Sequence, residues 1–117
     1  MKVVYIAGPY RADSAWGIEQ NVRRAEELAL RCLVVGFAVI CPHAMARFYQ
    51  DELPDDVWIN GDLELMRRCD AVLLVYGWEG SRGTQAEIAE AERLDIPVFE
   101  SLMQLMRWRD AAEKVSA

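Results

Sequence analysis

Glu87 stands at a position where its predicted helix should carry an apolar side chain. Residues 84–94 have helical spacing, with Ile88, Ala91 and Leu94 on one apolar stripe. At about 100° per residue, Glu87 falls inside that stripe, so we expect its carboxylate to face the sheet from the first turn. A carboxylate in that place must be paired or lie at the wall of a pocket. The alternative is a first-turn glutamate that the helix macrodipole favours.

Asp62 has the same unusual placement on the preceding predicted helix, residues 57–68. The apolar residues around it are Ile59, Leu63 and Met66. A buried cap, or a salt bridge to Arg67 or Arg68, would also explain this aspartate. Two carboxylates near one edge of a sheet suit a glycosidase, in which one attacks the sugar carbon and the other handles protons.

A glycine-rich turn, residues 80–84, opens the helix that carries Glu87. Its glycines, Gly83 among them, allow backbone N–H groups to converge, and the helix N-terminus adds positive potential. Ser81 and Thr84 add hydroxyl groups. The composition therefore predicts an anion-binding turn, and the alternative is a plain N-cap formed by Ser81 or Thr84. The spacing matches neither a P-loop nor a dinucleotide-binding fingerprint.

A second turn with candidate ligand contacts follows the first predicted strand. Gly8 and Pro9 begin it, and the glycine lets the backbone approach a ligand closely. Arg11 can pair with a phosphate, or it is a solvated loop arginine. Within the strand, Tyr5 is either a core residue or the group whose hydroxyl orients a carboxylate.

His43 and Trp78 are further candidates for substrate contacts. His43, the single histidine of the sequence, follows the second predicted strand, and Trp78 lies in a predicted loop where it could stack on a base. Either side chain could instead serve packing alone. With no second histidine and no suitable cysteine spacing, we expect no metal site and no cofactor.

Strands and helices alternate along the chain. Short apolar runs predict strands at residues 3–7, 37–41, 71–76 and 96–99. Helical periodicity predicts helices at about 18–35, 57–68, 84–94 and 102–114, and the segment 43–56 is irregular. The alternation predicts a parallel sheet with helices on both faces. Ligands bind beyond the carboxyl ends of such strands, where the turns at 8–11, 42–43 and 77–83 should meet.

Composition limits the classes of partner. The 117 residues are 53% apolar and 27% charged, which is typical of a single globular domain, residues 1–117. The formal net charge of −6 argues against a nucleic-acid polymer or an anionic membrane as partner. No apolar run approaches the ~20 residues of a membrane span, and the N-terminal run is too short for a signal peptide. Three cysteines without C-x-x-C spacing fit a cytoplasmic protein.

Taken in order, four segments make the chain resemble the nucleoside 2-deoxyribosyltransferase superfamily. It is most similar to short bacterial and phage members of unassigned function, from Tyr5 to about Phe99. The segments are Tyr5-Ile6-Ala7-Gly8-Pro9, Gly36-Phe37 leading to Cys41-Pro42, Asp62-Leu63 with Cys69-Asp70-Ala71, and residues 77–87 (GWEGSRGTQAE). The resemblance implies a flavodoxin-like three-layer sandwich with a four- or five-stranded parallel sheet.

The resemblance also implies a role for each matching residue. The family's nucleophilic glutamate matches Glu87, which would attack the anomeric carbon and form a covalent ester. Its aspartate matches Asp62, which would assist proton movement at the departing base. Its first-strand tyrosine matches Tyr5, which would hold the glutamate in place.

Two further matches bear on the substrate. Six residues before the nucleophile, the transferases tend to carry an aspartate, whereas the monophosphate-specific hydrolases carry a serine, and this chain has Ser81. Arg11 matches an arginine of the same hydrolases. Both residues favour a 5′-monophosphate substrate and water as the acceptor, because a carboxylate would repel a phosphate. Residues 43–56 match no well-characterised member closely, so the base stays open.

Three hypotheses follow from these residues. The first is an N-glycosidase that cleaves a (deoxy)nucleoside 5′-monophosphate through a covalent intermediate on Glu87. The second is a transferase that exchanges bases between deoxynucleosides, and the third is a non-catalytic nucleotide-sensing module, since a fold does not determine function. In each, the partner is a small nucleoside or nucleotide. Homo-oligomerisation is compatible with the family, in which a neighbouring subunit often completes the site.

Overall fold

The computed structural model describes residues 1–116, which alternate between strands and helices. The strands are β1 (Val3–Ala7), β2 (Ala38–Ile40), β3 (Ala71–Leu74) and β4 (Val98–Phe99). The α-helices are α1 (Ala15–Val34), α2 (Pro42–Met45), α3 (Asp55–Arg67), α4 (Arg82–Arg93) and α5 (Leu102–Ser116). Short 3₁₀ helices lie at Gln50–Glu52 and Trp78–Gly80.

The four strands form one all-parallel sheet in the order β2-β1-β3-β4. Val4 of β1 pairs with Val39 on one side and with Ala71 on the other. The predicted flavodoxin-like α/β sandwich is confirmed, with four strands in the described chain. Because the chain moves from β1 to β2 on one side and to β3 on the other, the switch point lies between β1 and β3.

Helices cover both faces of the sheet and make three layers. Ala25 of α1 and Leu105 of α5 belong to the buried cluster on one face. Met66 of α3 and Ala91 of α4 belong to the cluster on the other. None of the helices in residues 1–116 combines the length and the apolar character that a membrane crossing needs.

Successive side chains of β1 point to opposite faces of the sheet. Val4 and Ile6 pack under α1 and α5, whereas Tyr5 and Ala7 pack under α3 and α4. This alternation places Tyr5, which is fully buried, on the same face as the helices that carry Asp62 and Glu87.

Helices α1, α3 and α4 begin two or three residues earlier than their apolar periodicity predicts, whereas α5 begins at Leu102 as predicted. Helix α1 starts at Ala15, because the Oγ of Ser14 accepts a hydrogen bond of 3.0 Å from the N–H of Gly17 and so caps the helix. Gly36, which follows the end of this helix, has a φ of +97°, in the left-handed region that glycine tolerates. Near that end Leu33 is 54% exposed.

Candidate active site

A cleft of about 820 Å³ opens beyond the carboxyl ends of β1 and β3. It lies at the switch point of the sheet, where open α/β folds bind ligands. Most of the residues singled out from the sequence line it. These are Tyr5, Gly8, Pro9, Arg11, His43, Asp62, Ser81, Gly83 and Glu87.

Glu87 lies half-buried in the wall of this cleft, as its place on the apolar stripe of α4 predicts. The phenolic O–H of Tyr5 donates a hydrogen bond to its Oε2. Within residues 1–116 Glu87 forms no ion pair, and its Oε1 accepts no hydrogen bond. One carboxylate oxygen is therefore anchored and the other is available for chemistry.

The pKa of Glu87 is raised to about 7, chiefly by burial; the hydrogen bond from Tyr5 opposes the rise and the charge of Asp62 adds to it. A pKa near neutrality means that this carboxyl group gains or loses its proton easily at physiological pH. Such perturbed carboxyl groups are concentrated at functional sites.

Asp62 lies half-buried on the cleft side of α3, and burial raises its pKa to about 6. The salt bridge to Arg67 or Arg68 that would have made it structural is absent, since both arginines pair with Glu64. The charge of Asp62 contributes to the raised pKa of Glu87, so the two carboxyl groups are electrostatically coupled.

The turn before α4 both caps the helix and presents donors to the cleft. The Oγ of Ser81 accepts hydrogen bonds from the N–H of Thr84, at 3.2 Å, and from its Oγ1, at 2.9 Å. The plain N-cap is thus present. Because these bonds use the lone pairs of Ser81, its own hydroxyl proton stays available to a ligand. The N–H groups of Arg82 and Gly83 have no intrahelical acceptor, since they belong to the first turn of the helix.

The turn after β1 is held by its neighbours. A Cβ on Gly8 would lie 2.5 Å from the Cβ of Val75, so the close packing of β1 against the end of β3 by itself requires glycine here. The side-chain amide of Asn21 donates to the carbonyl oxygens of Tyr10, at 3.0 Å, and Arg11, at 3.4 Å. From the sequence, Gly8 was predicted only to let a ligand approach the backbone, and the structure adds this packing reason.

Arginine side chains border the cleft in greater number than the sequence suggested. Arg11 forms an ion pair with Asp55, and both side chains are well exposed, at 65% and 60%. Arg24 and Arg82 also line the cleft, and neither pairs with an acidic residue of the described chain. Sequence analysis missed both, although Arg82 directly follows the candidate Ser81.

His43 is buried beside the turn after β1. Its Nε2 lies 2.9 Å from the carbonyl oxygen of Pro9, so this nitrogen carries the proton and donates it. Burial lowers the pKa of the imidazole, which is therefore neutral, and its Nδ1 has no hydrogen-bond partner among residues 1–116. The ring of Tyr10 meets it edge-on at 5.7 Å. The first role of His43 is to hold the turn that carries Pro9.

The structure places a different tryptophan in the cleft from the one that the sequence predicts. Trp78, predicted to stack on a base, packs against the buried cluster that contains Met66 and does not line the cleft. Trp58, which the sequence did not single out as a candidate, does line it. The signal that could have found Trp58 is its spacing of four residues from Asp62, which puts both on one face of α3.

Glu87, with an oxygen that accepts no hydrogen bond in residues 1–116, and Asp62 place two carboxyl groups in one cleft. A double displacement at a sugar carbon uses such a pair, one group as nucleophile and the other to move protons. In residues 1–116 no three His, Cys, Asp or Glu side chains lie together as a metal ion would require. The three cysteines are free and buried.

Comparison with known proteins covers this whole site. A family model described as a domain of unknown function matches residues 2–101, which include every residue that lines the cleft. No curated protein matches the chain. The family description assigns the cleft no activity.

Proposed function

The chain belongs to the family DUF7768, a domain of unknown function, and from the geometry of its cleft we propose that it is an N-glycosidase. It hydrolyses the bond between base and sugar in a (deoxy)nucleoside 5′-monophosphate. The observation that carries this proposal is the Glu87 carboxylate, anchored by Tyr5 at the cleft wall and coupled to the carboxyl group of Asp62. The resemblance to nucleoside 2-deoxyribosyltransferases supports it.

In the first step, Oε1 of Glu87 attacks the anomeric carbon of the sugar. The bond from that carbon to the base nitrogen breaks, and its electron pair stays with the base. The base takes the proton that Asp62 holds, because a neutral base leaves far more readily than an anion. The products of this step are the free base and a glycosyl ester on Glu87.

In the second step, water attacks the same carbon from the face that the base has left. Asp62, now ionised, takes the proton of the water, and the ester bond breaks so that its electron pair returns to Glu87. Two displacements give overall retention at the anomeric carbon. Tyr5 keeps Oε2 of Glu87 in place throughout, so that only Oε1 has to move.

The substrate phosphate is proposed to bind at the turn before α4. The hydroxyl of Ser81 and the N–H group of Gly83 can donate to phosphate oxygens, and the helix N-terminus adds positive potential. Arg11 reaches the same cleft. Its ion pair with Asp55 is exposed and therefore weak, so a doubly charged phosphate can replace the carboxylate.

The decisive experiment is an incubation of the purified protein with each nucleoside and each 5′-monophosphate, followed by chromatography for free base. A 2′-fluoro nucleotide analogue should leave an ester on Glu87 that mass spectrometry detects as added sugar phosphate, since the electron-withdrawing fluorine slows its hydrolysis. A second free base in the mixture reveals exchange if the acceptor is not water. Ligand-induced stabilisation without any base release would contradict the enzyme proposal and support a sensing module.

Replacing Tyr5 with phenylalanine should slow base release by about 10- to 100-fold, because a hydrogen bond to a charged group contributes about 1.5–3 kcal/mol. The lost hydrogen bond normally lowers the pKa of Glu87, so that pKa should rise. The alkaline limb of the pH profile, where the carboxyl pair loses its last proton, should then move to higher pH. The measurement is the pH profile of kcat/KM together with the melting temperature. An alkaline limb at its original pH would contradict the positioning role of Tyr5.

Replacing Asp55 with asparagine should lower the KM for a nucleoside 5′-monophosphate by up to about fivefold, because the exposed pair that it breaks is worth about 0.2–1 kcal/mol. The KM for the corresponding nucleoside should not change. Asp56→Asn is the matched control, since Asp56 is an exposed neighbour outside the cleft lining. An equal effect of both variants, or an effect on the nucleoside as well, would argue that Arg11 binds no phosphate.

A further inference from the structure

One face of α3 forms a wall of the cleft. The residues of this helix that line it are Asp55, Trp58, Ile59, Asp62 and Leu63. Their spacing of three, four, seven and eight residues places them on one helical face. Trp58 thus lies one helical turn, about 5.4 Å along the axis, from Asp62.

Two contacts, to Gln50 and to Tyr49, hold the indole of Trp58 in place. Its Nε1–H donates a hydrogen bond of 2.6 Å to the carbonyl oxygen of Gln50. The ring of Tyr49 packs against it with a centroid distance of 5.7 Å. Since the single hydrogen-bond donor of the indole is occupied, the ring offers the cleft only an aromatic surface.

The surroundings of the indole suit an uncharged planar group. Ala46, Ile59 and Leu63 give this part of the cleft apolar walls. Asp55 and Asp62 lie one turn before and one turn after Trp58 on the same face, and neither offers a positive charge that would bind a phosphate against the ring. The phosphate donors belong to other elements, the turn before α4 and the turn after β1.

We propose that Trp58 is the stacking platform for the heterocyclic base of the substrate and determines how tightly that base binds. This inference rests on the proposed function, because a base that accepts its proton from Asp62 must lie against the same helix face. Stacking on an aromatic ring tolerates every base, since each has a π face. Free nucleobases should therefore bind to this part of the cleft even without sugar or phosphate.

The test measures binding without turnover. In a Glu87→Gln background, the five free nucleobases and their deoxynucleoside 5′-monophosphates are titrated while tryptophan fluorescence is recorded. Trp58 should account for the quenching. Trp58→Phe should abolish the quenching, and Trp108→Phe should preserve it, since Trp108 packs against Phe99 and does not line the cleft. Ribose 5-phosphate, which has no aromatic ring, should cause none.

The affinity for nucleobases distinguishes two roles of Trp58: stacking on the base, or only anchoring the 3₁₀ helix at Gln50–Glu52. By calorimetry, Trp58→Leu should weaken nucleobase binding by about 5- to 100-fold, whereas Trp58→Phe should restore most of it, because phenylalanine stacks but cannot bond to Gln50. Equal losses in both variants would assign Trp58 an anchoring role and overturn the proposal. So would quenching that survives in Trp58→Phe, or an absence of nucleobase binding.

These outcomes are independent of catalysis. A protein that binds nucleobases through Trp58 yet releases no base from any nucleotide would keep this inference and lose the proposed glycosidase activity. Conversely, base release with the same KM in Trp58→Leu as in the parent protein would keep the activity and remove Trp58 from base recognition. Melting temperatures of the three Trp58 and Trp108 variants confirm that each is folded.

Discussion

Glu87→Gln should lower the rate of base release by at least about 10⁴-fold, the scale on which enzymes lose activity when a covalent nucleophile is removed. The amide has no negative charge with which to attack the anomeric carbon. Its carbonyl oxygen still accepts the hydrogen bond of Tyr5, so the local structure is retained. Binding of the substrate should therefore persist although no ester forms.

The stability of Glu87→Gln should equal or exceed that of the parent protein. Burial disfavours the charged form of Glu87, as its raised pKa records, and a neutral amide avoids that cost. The measurements are chromatography of released base, mass spectrometry of the trapped ester, and thermal unfolding.

Glu90→Gln is the matched control for this variant. Glu90 lies one turn further along α4, outside the cleft lining, and pairs with Arg67 and Arg93. It should keep parental activity. If Glu87→Gln retains more than about one hundredth of the parental rate, the nucleophile lies elsewhere and the double-displacement mechanism is wrong.

Asp62→Asn should have the second largest effect, a loss of about 10²- to 10⁴-fold, the usual contribution of a positioned general acid. Asparagine has no carboxyl proton to give to the departing base. The loss should depend on the leaving group. A 7-methylpurine nucleotide, whose base is already positively charged, needs no proton and should lose far less.

The pH profile gives an independent test of Asp62. Glu87 must be ionised and Asp62 protonated for the first step, so the active form is a singly protonated pair. Because the pKa of Glu87, about 7, lies above that of Asp62, about 6, the proton of that pair lies mainly on Glu87, and the active form is the minor tautomer. The parent profile should be a bell that falls below about pH 6, where the pair gains a second proton, and above about pH 7, where it loses its last one.

Asparagine cannot titrate, so Asp62→Asn should lose the alkaline limb of the bell. The single limb that remains should follow the pKa of Glu87 alone, which should lie below about 7 because the negative charge of Asp62 no longer raises it. Glu64→Gln is the matched control on the same helix, since Glu64 pairs with Arg67 and Arg68 away from the cleft. A bell that survives in Asp62→Asn would show that another group supplies the proton.

The two carboxyl groups could be found from the sequence because their orientation is a local property. Helical periodicity places Glu87 and Asp62 among apolar neighbours, and strand alternation places Tyr5 on one defined face of the sheet. The alternation of elements likewise predicts the parallel sheet. These conclusions depend on residues close together in the chain, which share one regular backbone conformation.

The residues that line the cleft between the two carboxyl groups could be identified only from the tertiary structure. Ile59 was predicted to be buried with Asp62, yet it is 57% exposed. Helical periodicity indicates which way a side chain points, but it does not indicate how far the sheet extends beneath the helix. The sheet stops at the ends of β1 and β3, so the part of α3 that reaches beyond those ends borders the cleft.

The sequence by itself determined the fold class, the carboxyl pair and the tyrosine beneath it. It did not distinguish Trp58 from Trp78. Both are aromatic residues near candidate turns, and only the tertiary packing decides that Trp58 lines the cleft while Trp78 packs against the core. The pairing of Arg11 with Asp55 also joins residues far apart in the chain. Contacts of this kind depend on how the layers assemble, which no local pattern records.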